Sequence, residues 1–136
     1  IVGITAGTTQ EHIIRATLES SAYQVKDVLD RMVQDTNVPI SVMRCDGGAT
    51  SNGFLMQFQS DILGIPLDIP KITDTTALGA AYMAALGIGD FSDPSDICKH
   101  WVLDRHYEPK MSADQRESML FQWHRAVERA RNWALD

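Results

Sequence analysis

The stretch Ile40-Ser41-Val42-Met43-Arg44-Cys45-Asp46-Gly47-Gly48-Ala49-Thr50-Ser51-Asn52 carries the reading of the fold. Ile40 to Cys45 reads as a strand, with Cys45 buried in it. It runs straight into Asp46-Gly47-Gly48. From Ser51 the spacing changes: Phe54, Leu55, Phe58, Ile62 and Leu63 give an apolar helical face, and Gly64 stands where a C-terminal cap belongs. Strand, double glycine and helix form an arrangement suited to phosphate. Glycine lets backbone approach a ligand closely or take positive φ, and a helix start presents unpaired N–H groups and partial positive charge. Asn52 falls in the first turn of this helix, where its amide can reach a ligand or cap the helix. Taken alone, this is a weak nucleotide signal, because a Gly-Gly turn between strand and helix is more often only a turn. No Gly-Lys-Ser/Thr follows, and the pattern is not G-x-G-x-x-G.

Outward from this turn, Ile65-Pro66-Leu67-Asp68-Ile69 reads as a short strand, with Pro66 placing it at an edge or at a strand start. A helix rich in small residues is expected from Thr76 to Leu86, ended by Gly87. Ala77, Gly79, Ala80, Ala81, Ala84 and Ala85 would let it pack closely against the sheet or a partner helix. Residues 90–110 read as irregular, with a short helical turn after Pro94. Ser112 opens a last helix, with Gln115 at capping-box spacing, running to Trp133. Upstream, Thr8 and Glu11 have the spacing of a capping box. Ile14, Leu18, Ala22, Val25, Leu29, Met32 and Val33 then mark a helix from Thr9 to Thr36, roughly 40 Å at about 1.5 Å per residue. Alternating helices and strands predict an α/β domain with a parallel strand pair, Ile40–Cys45 beside Ile65–Ile69, joined by a right-handed crossover through the 51–63 helix. Two short strands make a thin sheet, so further strands are expected upstream.

The chain has 136 residues, 12 Lys and Arg against 18 Asp and Glu, and a formal net charge of −6. One domain fits this length. The acidic balance argues against a nucleic-acid or anionic-membrane surface, but not against a phosphate site built from backbone N–H groups. Cys45 and Cys98 have no metal-ligand spacing and read as two reduced thiols. No signal peptide or membrane-length apolar run is present. The first residue is Ile1 rather than Met, and a cytoplasmic location within a longer protein is the expectation.

Asp46-Gly47-Gly48-Ala49, Asn52, Leu55-Met56-Gln57-Phe58-Gln59-Ser60-Asp61-Ile62-Leu63-Gly64 and Thr75-Thr76-Ala77-Leu78-Gly79-Ala80-Ala81 closely resemble the C-terminal domain of the FGGY carbohydrate kinases. Ala16-Thr17-Leu18-Glu19-Ser20 and Ala22-Tyr23-Gln24 fit the same pattern, which weakens after Asp90. Within the family, residues 55–61 look like the glycerol kinases, while pentulose kinases share the Gly-Gly turn and the Ala-Leu-Gly-Ala-Ala helix. The resemblance implies a partial ribonuclease H-like (actin-like) domain over residues 1–136, with a core at 1–89 and a loop and terminal helix at 90–136. It implies an enzyme that transfers the γ-phosphoryl of Mg-ATP to glycerol. ATP or ADP would be held here, with Mg2+ in the full-length enzyme, and glycerol by an N-terminal domain. Gly48 and Asn52 match the family's nucleotide-contacting positions, and Gly47 and Ala49 flank them in the same pocket. The family's catalytic Asp and phosphate hairpin lie outside this chain, so no catalytic residue and no metal ligand is assigned here. The isolated chain is expected to be inactive, and the full-length enzyme a homo-oligomer without nucleic-acid or membrane partners. The alternatives are another pentulose or polyol kinase, or a non-catalytic actin-like nucleotide-binding module.

Ala6-Gly7-Thr8-Thr9 resembles that hairpin only superficially. Thr5 stands where the hairpin needs Asp, and a helix follows directly. His12, His100, His106 and His124 are scattered and read as ordinary histidines. Trp101, Trp123 and Trp133 read as packing residues, and Glu117, Arg125, Glu128 and Arg129 as a solvated face.

Overall fold

A computed structural model describes residues 1–132. Its elements are α1 (Gln10–Thr36), β1 (Met43–Arg44), a 3-10 turn (Gly48–Ser51), α2 (Gly53–Leu63), β2 (Leu67–Pro70), α3 (Thr75–Ile88), α4 (Pro94–Cys98), β3 (Leu103–Tyr107) and α5 (Ala113–Ala130). The expected end of the last helix at Trp133 lies outside the described residues.

The sheet has the order β1-β2-β3. β1 and β2 are parallel, with Met43 opposite Leu67 and Arg44 opposite Asp68. This is the adjacency the sequence predicts. β3 was not expected: it lies antiparallel to β2, with Tyr107 opposite Leu67 and Arg105 opposite Ile69. Its sequence, Leu-Asp-Arg-His-Tyr, hides a strand because three of five side chains are polar or charged. β1 is much shorter than the predicted Ile40–Cys45. Cys45 is only half-buried, though its N–H still donates to the Asp68 carbonyl at 3.0 Å.

The core forms where α2 meets α1 and the sheet. Leu29, Leu55, Met56, Leu63, Leu67 and Ile69 make one cluster; Ala22, Phe58 and Ile62 make a second. Ile62, Leu67 and Ile69 are fully buried, and each contributes about 1.5–3 kcal/mol relative to an exposed side chain. Phe54, expected on the apolar face, is instead exposed, with the Arg15 guanidinium 5.3 Å from its ring centre. Tyr23 stands edge-on to Phe58 and stacks on Trp123 at 5.1 Å. Burial, then the Glu19 charge, pushes its phenol up to about 12. The Trp123 indole donates to Asp27 of α1 at 2.8 Å, and this places Trp123 as a packing residue between α1 and α5.

Several ends differ from the sequence reading. The α1 cap is Thr9, whose N–H donates to His12 Nδ1 at 3.0 Å, rather than Thr8 with Glu11. Thr8 is already used in the preceding turn, accepting at its hydroxyl from the Thr5 N–H at 2.9 Å. α3 runs past Gly87 to a cap at Gly89, which has φ 85°. Helical Gly87 costs only about 1 kcal/mol. α3 was expected to pack tightly, yet none of its residues is buried. α5 begins as expected: the Ser112 hydroxyl accepts from the Gln115 N–H at 3.2 Å.

The string Gln57–Asp61 ties α2 to the segment around β3. The Gln57 amide donates to the Glu108 carbonyl at 2.8 Å. The buried Ser60 hydroxyl lies 3.0 Å from the Ile65 and Tyr107 carbonyls alike. Asp61 Oδ1 accepts from the Lys110 and Met111 N–H groups at 2.6 and 3.2 Å. Backbone groups of an irregular connection are thereby satisfied from a helix face.

Candidate functional site

The turn between β1 and α2 is held from several sides. After Cys45, the Asp46 carboxylate is hydrogen-bonded to the Thr75 hydroxyl at the start of α3. The Gly47 N–H donates to the Thr73 carbonyl at 3.0 Å. Gly47 has φ 84°, a conformation that strains any residue with a Cβ. Its carbonyl accepts twice from Thr50, from the N–H at 3.1 Å and from the hydroxyl at 2.7 Å. Thr50 is 2% exposed and anchors the turn from below. Burial, then the neighbouring Asp46 charge, pushes the Cys45 thiol above its ordinary pKa.

Gly48, Ala49 and Ser51 are exposed on the outer side of the 3-10 turn. A Cβ built at Gly48 would meet nothing within 4 Å, and its φ is not positive. The space beside this glycine is open, and nothing in the packing of the described residues requires glycine there. Asn52 is the N-cap of α2 rather than a first-turn residue: its Oδ1 accepts from the Leu55 N–H at 3.1 Å. The 3-10 turn takes Ser51 out of the helix because the Ser51 hydroxyl and the Asn52 N–H close it onto Gly48 and Ala49 at 2.8 and 3.1 Å. The cap uses only the acceptor end of the Asn52 amide, whose other end carries two N–H donors. The structure thus brings Gly47, Gly48, Ala49 and Asn52 together on one surface turn in front of α2. From β1, the Arg44 guanidinium lies 4.2 Å over the Trp101 ring. This pair borders a cleft of about 300 Å³ lined also by Thr75, Leu78 and Tyr82.

Sequence reasoning missed Arg105. Its Nη1 donates to the Thr50 carbonyl at 2.9 Å, across 55 positions of sequence. The signal available was the alternation Leu103, Arg105, Tyr107 against Asp104 and His106.

Comparison with known proteins gives this fold and turn their class, the C-terminal domain of a carbohydrate kinase. Residues 1–88 match the model of the FGGY family of carbohydrate kinases, C-terminal domain, and the chain belongs to that family. It is 52% identical over 134 residues to the glycerol kinase of Thermoanaerobacter sp. (strain X514), covering 98% of this chain and 27% of that protein. It is 50% identical over 133 residues to glycerol kinase 2 of Thermotoga maritima, covering 98% of this chain and 27% of that protein. In structure it resembles the glycerol kinase of Plasmodium falciparum solved with ADP, with a TM-score of 0.82 and 35% identity over 97% of this chain and 26% of that one. The xylulose kinase of Lactobacillus acidophilus shares the fold at a TM-score of 0.76 and 21% identity, over 95% of this chain and 26% of that one. The expected α/β, ribonuclease H-like class agrees with these neighbours. The chain spans about a quarter of the length of the curated relatives it matches.

Proposed function

We propose that this chain is the nucleotide-holding C-terminal part of a glycerol kinase, which transfers the γ-phosphoryl of MgATP to glycerol. The observation that carries this reading is 52% identity to a glycerol kinase along nearly the whole chain. The Gly47–Asn52 turn supplies the binding surface. Gly48, open on its Cα side, lets a nucleotide approach the backbone. Ala49 flanks it without bulk. Asn52 offers its amide donors while its Oδ1 caps α2. The positive end of α2 faces the same side. Mg2+ would enter with the nucleotide as MgATP, where it offsets phosphate charge. Glycerol and the catalytic base belong to the N-terminal domain of the longer enzyme, which is homo-oligomeric and cytoplasmic in this reading. None of the described helices is long and apolar enough to cross a membrane.

The test is a substrate panel on the full-length enzyme that carries this segment. Glycerol should give the highest kcat/KM. A higher value for a pentulose would replace glycerol kinase with another member of the family.

A further inference from the structure

We propose that Arg105 is a positioning residue for the nucleotide turn, holding from β3 a loop formed more than 50 residues earlier. This rests on the nucleotide-site reading of Gly48 and Asn52. Arg105 and Tyr107 lie two apart on β3 and so share one face of the sheet. That face points toward the turn and α2. The Arg105 guanidinium reaches the Thr50 carbonyl at 2.9 Å, and the Tyr107 hydroxyl lies 3.5 Å from where a Cβ on Gly53 would stand. Thr50 is nearly fully buried, and its hydroxyl and N–H both end on the Gly47 carbonyl. A load path therefore runs from Arg105 through Thr50 to Gly47, and sets how the 3-10 turn presents Gly48 and Ala49. Arg105 is itself aimed by Asp104, whose carboxylate accepts from its Nε at 3.1 Å. A hydrogen bond from a charged donor is stronger than one between neutral groups. Arg105 suits this task because its planar fork can serve Asp104 and Thr50 together, which one ammonium cannot do as well.

Arg105 touches no substrate in this account, so its effect is selective. In the full-length enzyme, Arg105→Ala should raise KM for ATP about tenfold, as expected for loss of roughly one strong hydrogen bond. KM for glycerol should stay within about twofold on the same basis. Arg105→Lys, which keeps a charged donor on a stem of similar reach, should recover part of the loss, and it carries the test should the alanine variant fail to fold. Equal rises in both KM values, or an unchanged KM for ATP in a folded Arg105→Ala or Arg105→Lys enzyme, would overturn the proposal. Gly48→Val measured alongside separates the two layers. If Gly48→Val raises KM for ATP and the Arg105 variants do not, Arg105 is only structural. If neither changes it, the nucleotide-site reading itself fails.

Discussion

Gly47 and Gly48 are adjacent, yet they are constrained by different things. Gly47 sits at φ 84°, so any side chain there strains the fold by about 1–2 kcal/mol. Gly48 has ordinary φ and open space around its absent Cβ, so the fold alone tolerates a side chain there. Gly48→Val should therefore leave the melting temperature nearly unchanged while raising KM for ATP about tenfold or more, equivalent to about 1.4 kcal/mol, with KM for glycerol unaffected. Asn52 can be dissected in the same way. Asn52→Ala removes the cap and should cost about 1 kcal/mol of stability as well as several-fold in KM for ATP. Asn52→Ser keeps a capping oxygen and loses the amide donors, so it should hold the melting temperature and still raise KM. Melting temperature and both KM values, taken on the same full-length preparations, check each outcome. A folded Gly48→Val enzyme with wild-type KM for ATP would remove the nucleotide from this turn. These residues were legible in sequence because they are local: strand, two glycines, Ala and Asn fall within ten positions. Arg105 was not, because its contact with Thr50 exists only once β3 has paired with β2.

β2 and β3 are joined by more than their ladder. The His106 ring lies between Asp68 of β2, 2.5 Å from Nδ1, and Glu108 just after β3, 2.7 Å from Nε2. Its hydrogen bond to Glu108, then that to Asp68, raises the imidazole pKa above its ordinary value. A raised value means that the folded state binds the proton more tightly than the unfolded chain does. The stabilisation is complete below the unfolded imidazole value of about 6.5, and is lost as pH rises through the higher folded one. His106→Gln should thus narrow its stability gap to wild type as pH rises above neutrality, read as the difference in melting temperature across a pH series. A gap that stayed constant with pH would show that the ring acts without its charge. At this scale the sequence predicted what periodicity can carry. α1, α2 and the parallel β1–β2 pair were legible because their apolar spacing is long or their turns are marked by glycine. β3 was not, because this outer strand has only two half-buried positions, Arg105 and Tyr107, one of them an arginine, and its one aliphatic residue, Leu103, is exposed. The α3 end was misplaced because Gly87 and Gly89 are both plausible stops, and only the backbone at Gly89, with φ 85°, makes the cap.

At the scale of the whole molecule, the proposed nucleotide turn would form one wall of a larger site. Gly48, Ala49 and Ser51 of the turn are exposed. β1 stands at the edge of the sheet, and α3 carries an apolar, small-residue surface with no buried residue. The chain also spans only 27% of a glycerol kinase to which it is 52% identical. Phosphoryl transfer places nearly all of its demand on groups that surround the transferred phosphate, orient the acceptor hydroxyl and offset the developing charge. A surface that binds a nucleotide from one side cannot align an acceptor with it, and good alignment of reactants can supply up to about 7–11 kcal/mol of barrier lowering. The purified 136-residue chain should therefore release no ADP in a glycerol-dependent manner, even at enzyme concentrations far above those used for the full-length protein. The check is a coupled ADP-release assay run with and without glycerol, with the full-length enzyme as the positive control. Glycerol-dependent turnover by the chain alone would mean that an acceptor site and a base exist within these 136 residues. The assignment of this chain as the nucleotide side of a larger cleft would then be wrong. Absence of turnover with retained ADP binding, measured by calorimetry on the same sample, is the result expected if this chain is the nucleotide side of a longer kinase.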